Sequence, residues 1–181
     1  MAPLTKRGES QAIKYGLCLR DRMITPDVVL GSGAVRAQST GTIALANAGL
    51  LATIRVDERL QEIDMGIYEG RLRTEVYTDE VSDALNAAGL DGHLPTAESI
   101  RDVQNRMWEA LLDGHRSLPD GTLLIFGHGL AIRAVAGKIL GLDKQGILKR
   151  LSTDNVSETK IEITSPDNAK IHYVGKNVIA M

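Results

Sequence analysis

The chain has 181 residues, of which 43% are apolar, 24% charged and 3% aromatic, and its 21 Lys+Arg against 23 Asp+Glu leave a net charge of −2. Because the sequence has no block of like charge, its composition excludes nonspecific electrostatic binding to nucleic acid or to an anionic membrane surface. No apolar run approaches the roughly 18–20 residues of a membrane span, and no hydrophobic signal region opens the sequence, so we expect one cytoplasmic domain over residues 1–181.

The first half of the chain alternates between helical and strand patterns. Apolar residues at helical spacing predict a helix over 9–23, and a stretch rich in small residues predicts another over 35–48. Short β-branched runs predict strands at 27–31 and 52–56. Residues 57–95 are less regular, with a helix expected in part of 72–88.

The second half continues the alternation. Apolar steps of three and four predict a helix over 96–116 with Thr96 as its N-cap, and a strand at 122–126 is followed by a helix over 130–140. Two alternating runs, 159–164 and 170–174, predict a hairpin that turns at Asp167-Asn168. The strands at 27–31 and 122–126 are expected to be fully buried. The sequence therefore predicts a three-layer α/β/α sandwich with a mostly parallel central sheet.

Unusual polar residues follow two of these strands. Ser32 and Arg36 follow the strand at 27–31, whereas His128 and Gly129 follow the strand at 122–126. Ligands of open α/β sheets gather beyond the carboxyl ends of the strands, and a guanidinium matches the fork of a phosphate. Taken alone, Arg36 reads as a surface residue and His128 as a structural one, but together they indicate a phosphate cradle.

Six short motifs follow one another along the chain. They are Pro3-Leu4-Thr5-x-x-Gly8-x-x-Gln11-Ala12, Ser32 with Arg36-Ala37-x-x-Thr40, Leu60-x-Glu62-x-x-x-Gly66-x-x-Glu69-Gly70, Glu98-Ser99 with Arg106, Gly127-His128-Gly129-x-x-Ile132-Arg133, and Asn155-x-Ser157. In this order and at these intervals, the set resembles the histidine phosphatase superfamily, also called phosphoglycerate-mutase-like. The resemblance runs from Pro3 to near the end of the chain.

The resemblance implies a phosphoglycerate-mutase-like fold and action on phosphomonoesters through a phosphohistidine. In the family, the histidine of an Arg-His-Gly motif attacks the phosphoryl group in a pocket of two arginines and a second histidine, and a carboxylate protonates the leaving group. Arg36 matches the second arginine, His128 the second histidine and Glu62 the proton donor. These roles suit the chemistry, because the transferring phosphoryl group carries charge on three oxygens. Phosphatase activity is favoured over mutase activity because the chain is short for the mutases, and the substrate is left open.

The sequence departs from the family at the nucleophile, because it contains no Arg-His-Gly. The stretch Lys6-Arg7-Gly8 mimics the motif without its histidine, but no strand precedes it, so Arg7 is predicted to be solvated. A truncated sequence, a genuine pseudoenzyme and a partner chain that supplies the strand would each explain the departure, and parsimony favours the first. His128 has the chemistry to attack, although nothing in the sequence places it in line with a leaving group.

Five further residues are predicted to have structural or surface roles. These are His93, His115, His172, Cys18 and Trp108. The single cysteine cannot build a disulfide or a thiolate zinc site by itself, and Gly31-x-Gly33 lacks the third glycine of a dinucleotide fingerprint. We therefore expect neither a metal nor a cofactor.

Two functions remain open from the sequence. The chain is either a phosphatase-type domain that is inactive or incomplete without its nucleophile, or a non-catalytic phosphoester-binding or scaffolding module that keeps Arg36 and His128. Both predict a phosphorylated small molecule or a phosphate anion as ligand. Because the family's first strand lies within the sheet, its absence also predicts open strand edges and self-association.

Overall fold

The structure, a computed structural model, describes residues 3–179, and the predicted domain bounds at Met1 and Met181 lie outside them. The helices are α1 (Lys6–Asp21), α2 (Val35–Ala48), α3 (Arg73–Val76), α4 (Asp79–Ala87), α5 (Ile100–Ser117), α6 (Gly129–Ile139) and α7 (Lys144–Arg150). The strands are β1 (Val28–Gly31), β2 (Ile54–Val56), β3 (Leu123–Phe126), β4 (Glu158–Ser165) and β5 (Asn168–Lys176).

A parallel sheet in the order β2-β1-β3 forms the centre of the fold. Val29 of β1 lies opposite Ile54 on one side and Leu124 on the other. Since the three strands run in the same direction, their carboxyl ends meet at one edge, and the segments that follow β1 and β3 start there.

Helices cover both faces of this sheet, as the predicted three-layer sandwich requires. Successive strand residues face opposite layers, so that Leu30 packs with one apolar cluster and Val29 with the other. The cluster on the α5 and α6 side is Leu60, Ile100, Val103, Met107, Ala110, Ala131, Ala134, Val135 and Ile147. The cluster on the α1 and α2 side is Tyr15, Leu19, Val29, Ala44, Leu45, Ala48, Phe126 and Val178.

Small residues bring α1 and α2 into close contact. A Cβ placed on Gly16 of α1 would collide with the backbone carbonyl oxygen of Ala44 in α2. Gly16 therefore allows the two helices to approach closely, and Gly41 of α2 lies against Ile54 and Phe126 of the sheet.

The start of α5 differs from the prediction. Its N-cap is Ser99, and Asp102 completes a capping box with it, so Thr96 is not the cap. Thr96 lies at φ 63°, outside the extended region that an N-cap residue occupies, and its hydroxyl accepts from the Ile67 backbone N–H at 3.1 Å. The N3 residue of this capping box is an aspartate, where glutamate or glutamine is the more common choice. The sequence also did not predict α7, whose N-cap is Asp143.

The prediction of fully buried strands is wrong for β3. Phe126 is buried, but Leu123, Leu124 and Ile125 are only half-buried, and β1 alternates between half-buried and buried positions. The carbonyls of Thr122 and Phe126 accept from β1 and from Ser32, so the backbone groups of Leu123 and Ile125 face away from β1. Within residues 3–179, no strand pairs with the edge of β3 that lies opposite β1, so β3 is an edge strand of the sheet.

The two C-terminal strands form the predicted hairpin as a separate antiparallel sheet. Ser165 lies opposite Asn168, so the turn residues are Pro166 and Asp167 and not Asp167 and Asn168. Ile161 of β4 packs against the same apolar cluster as Ile125 of β3. The hairpin therefore packs against the layer on the α5 and α6 side and does not pair with the central sheet.

Candidate active site

The two predicted strand ends come together around His128. Ser32 follows β1, and its Oγ lies 2.7 Å from His128 Nε2. Arg36, in the first turn of α2, donates from Nε to His128 Nδ1 at 3.2 Å. Ser32 and His128 are both buried, with 0% and 6% of their surface exposed. The structure thus assembles these three side chains at the carboxyl edge of the sheet.

These contacts define the protonation of His128. Because a guanidinium can only donate, Nδ1 must be the unprotonated acceptor, so the ring proton is on Nε2 and is donated to Ser32 Oγ. Burial lowers the pKa of His128, and the positive charge of Arg36 lowers it further. The imidazole is therefore neutral at pH 7 and serves as a hydrogen-bond donor and acceptor.

Arg36 is the cation of this site that is open to a ligand. It is exposed, and its Nε is the atom that contacts His128. Within residues 3–179 no carboxylate lies within ion-pair distance of its guanidinium. Its two terminal nitrogens therefore remain available for a bidentate contact with an oxyanion.

Glu62 lies at the N-terminus of α6, directly beside His128. Its Oε1 accepts from the backbone N–H groups of Ile63 at 3.1 Å and Ala131 at 2.9 Å, and its Oε2 accepts from Leu130 at 3.1 Å. Three backbone donors thus fix the carboxyl group, and two of them, from Leu130 and Ala131, lie in the first turn of α6, so Glu62 caps a helix whose own N-cap residue makes no side-chain bond. Oε2 keeps one lone pair free, so this oxygen is the one that can exchange a proton with a bound molecule.

Arg106 of α5 holds Glu62 in place, a role that the sequence motif did not reveal. Its guanidinium makes a fork with Glu98 at 2.7 and 2.8 Å. The same group donates to the carbonyls of Arg59 and Gln61, each at 2.7 Å, and to that of Glu62 at 3.1 Å. The sequence motif of Glu98-Ser99 with Arg106 pointed to this arginine. It could not show that Arg106 contacts carbonyls 44 to 47 residues away in the chain, because motif spacing says nothing about such distant contacts.

Gly129 is the first residue of α6 and lies next to His128. Its carbonyl accepts from Thr153 Oγ1 at 3.2 Å, and a Cβ on Gly129 would lie 3.1 Å from that hydroxyl oxygen. A side chain here would push Thr153 away, so glycine allows the close contact between the start of α6 and Thr153.

The other reactive residues lie outside this cluster. Arg7 is exposed on α1, and Cys18 is half-buried and packs with the cluster on the α1 and α2 side. Trp108 packs against the other apolar cluster. His172 pairs with Glu162 on the hairpin at 2.8 Å.

The fold and the motifs define a class of protein. The family model of the histidine phosphatase superfamily (branch 1) matches residues 2–174, and the chain belongs to this family. The relative named "Probable phosphoglycerate mutase GpmB" from Erwinia tasmaniensis is 33% identical over 162 residues, which are 88% of this chain and 73% of the relative. Its Escherichia coli O1:K1 counterpart, with the same name, is 30% identical over 165 residues, 89% of this chain and 74% of the relative.

Solved structures agree with this assignment. Bacillus stearothermophilus YhfR superposes with a TM-score of 0.84 at 25% identity, over 98% of this chain and 87% of that one. The alpha-ribazole phosphatase of Shigella flexneri shares the fold with a TM-score of 0.78 at 20% identity, over 97% and 87% of the two chains. Across residues 3–179, no helix combines the length and the apolar character needed to cross a membrane.

Proposed function

We propose that residues 1–181 form one histidine-phosphatase-like domain that binds the phosphoryl group of a phosphomonoester between Arg36 and His128. The observation that carries the proposal is the direct contact of these two side chains, which leaves the terminal nitrogens of Arg36 open. A guanidinium without a carboxylate partner, next to a neutral imidazole at the edge of a parallel sheet, is suited to an oxyanion.

Each residue then has a role in phosphate-ester cleavage. Arg36 stabilises the charge that spreads over the phosphoryl oxygens, and Ser32 holds the ring of His128 at their side. Cleavage needs a nucleophile, which the described residues do not supply, to form a new bond to phosphorus as the P–O bond to the leaving group breaks. The leaving oxygen then takes the electron pair of that bond and receives the proton of a protonated Glu62 at Oε2, which leaves Glu62 as the carboxylate. Gly129, the residue after His128, packs closely against Thr153, where a Cβ would crowd the Thr153 hydroxyl.

The attacking group is the part of this chemistry that His128 is poorly placed to supply. Its Nε2 carries a proton directed at Ser32, and its Nδ1 lone pair accepts from Arg36. The sequence contains no Arg-His-Gly. We therefore propose that the 181-residue chain binds phosphate but does not hydrolyse phosphomonoesters by itself. A non-catalytic phosphoester-binding role is the second candidate, and the engagement of both His128 nitrogens favours it.

Turnover and binding can be tested on the same protein. Incubation with p-nitrophenyl phosphate should release no product above background and leave no acid-labile phosphohistidine. Losing the nucleophile of a catalytic unit typically costs 10³-fold or more. Robust turnover that disappears in His128→Ala would instead make His128 the nucleophile and overturn the non-catalytic candidate.

Anion binding is tested by titrating the chain with inorganic phosphate. We expect millimolar affinity, about 4 kcal/mol of binding free energy, because only part of the family's cationic pocket is present in this sequence. Arg36→Ala should abolish the binding, and the matched control Arg7→Ala on the exposed face of α1 should not. An equal loss from both variants would contradict the pocket.

We also propose that the open edge of β3 pairs with other chains and that the protein self-associates through it. In the described part of the chain, no strand pairs with the backbone groups of Leu123 and Ile125, and such edges are templates for strand addition. A cytoplasmic location stays a prediction from the sequence.

A further inference from the structure

A cavity of about 300 Å³ lies beside Glu62. Ile63 and Leu130 line it, and the backbone N–H groups of these two residues donate to the Glu62 carboxyl group. The cavity therefore begins immediately next to the group that would protonate a leaving oxygen. Its volume is at the lower end of the roughly 300–1,000 Å³ that small-molecule pockets occupy.

Three cationic side chains from three different helices line this cavity. They are Arg73 of α3, Arg133 of α6 and Lys144 of α7. The carboxylate among the lining residues, Glu98, is already committed to the fork with Arg106. Over residues 3–179, none of the three cations is within ion-pair distance of a carboxylate. Positive charge is thus concentrated and uncompensated here, in a chain whose net charge is −2.

The contacts of these cations hold them in place without neutralising them. Lys144 Nζ donates to the carbonyl of Leu85 at 2.6 Å, and Arg133 Nε donates to that of Gly129 at 3.4 Å. The guanidinium of Arg73 lies over the ring of Tyr77, 5.0 Å from its centroid. Among residues 3–179, most of the N–H donors on the three groups therefore have no hydrogen-bond partner. Burial lowers the pKa of Lys144, since partial removal from water disfavours the ammonium form.

Much of the remaining wall of the cavity is apolar. Met65, Leu94 and Leu148 contribute to it. The lining therefore combines an apolar surface, which favours a carbon skeleton, with three cations, which favour an anion.

We propose that this cavity binds the leaving-group end of the phosphomonoester, and that Arg73, Arg133 and Lys144 select a leaving group carrying both an apolar carbon skeleton and a second anionic group. This inference rests on the proposed function, because Glu62 is the link between the cavity and the phosphate pocket. The second anion is a carboxylate or a phosphate, since both present the oxygens that guanidinium and ammonium groups bind.

Two probes that differ by one carboxylate test the inference: phenyl phosphate and 4-carboxyphenyl phosphate. Each is titrated into the 181-residue protein while amide chemical shifts are followed by NMR, which also reports whether each variant is folded. The added carboxylate should tighten binding about tenfold, as a charged hydrogen bond in a half-buried site would. Lys144→Met and Arg133→Gln should each bring the two affinities to within about twofold of one another. Lys144→Arg should preserve the preference.

Controls separate this inference from the proposed function. Lys149→Met removes an exposed charge from the same helix, α7, outside the cavity lining, and should leave the preference intact. Arg36→Ala should weaken both probes equally, and if it weakens neither, the phosphate pocket itself is refuted. If Arg36→Ala weakens both but the wild-type protein does not distinguish the probes, the cavity inference alone is overturned. An equal loss of preference in Lys149→Met would overturn it as well.

Discussion

Replacing Arg106 with methionine should destabilise the protein and loosen the segment that carries Glu62. The substitution removes the fork to Glu98 and all three bonds to the carbonyls of Arg59, Gln61 and Glu62. Methionine keeps much of the aliphatic length, so the main loss is the guanidinium. The Glu98 carboxylate and the carbonyls of the loop are then left without this partner.

The burial of the pair sets the magnitude. The side chains of Arg106 and Glu98 are 18% and 26% exposed. Breaking a buried ion pair by removing one partner costs about 3–5 kcal/mol, and partial exposure places this case at the lower end, at about 3 kcal/mol. At this chain length, 1 kcal/mol shifts the melting midpoint by roughly 2–4 °C, so the midpoint should fall by about 6–12 °C.

The assay is urea and thermal unfolding of matched variants, followed by phosphate titration. Arg106→Lys keeps the charge but cannot span Glu98 and three carbonyls, so it should recover only part of the lost stability. Arg101→Met removes an exposed arginine from the same helix, paired with Asp91 at the surface, and should leave the urea midpoint unchanged. If Arg106→Met and Arg101→Met behaved alike, the network would contribute nothing and the reasoning would be refuted.

Three further predictions concern His128, the contact of α1 with α2, and the β3 edge. The pKa of His128 is lower in the folded than in the unfolded state, so the free energy of unfolding should decrease as the pH falls below about 6.5. Urea titrations at pH 7.5 and 5.5 measure this decrease, which should be smaller in His128→Asn. Gly16→Ala should cost about 1–3 kcal/mol in urea unfolding, because its Cβ meets backbone and not a movable side chain; an unchanged midpoint would contradict the close helix contact. Leu123→Pro removes the N–H that faces away from β1, so its self-association, measured by sedimentation, should be weaker than that of Leu123→Ala, which shortens the same side chain but keeps the N–H. Equal association of the two variants would exclude this edge as the interface.

The sequence by itself determined most of the local elements and the placement of Arg36 and His128 at one edge of the sheet. Helical spacing and small residues predicted the helix over 35–48 with the bounds that the structure shows, and alternation predicted the C-terminal hairpin. Both patterns report interactions between residues close together in the chain. The rule that parallel strands bring their carboxyl ends to one edge was sufficient to expect Arg36 beside His128.

Only the tertiary structure decided which distant side chains complete the site. Arg106 reaches carbonyls 44 to 47 residues away, and Glu62 accepts from backbone groups 68 and 69 residues away, distances along the chain that no local pattern encodes. The cations of the cavity come from three helices, one of which, α7, the sequence did not predict. The exposure of β3 is likewise a property of its neighbours, because an apolar strand is fully buried only when both of its edges and both of its faces are covered.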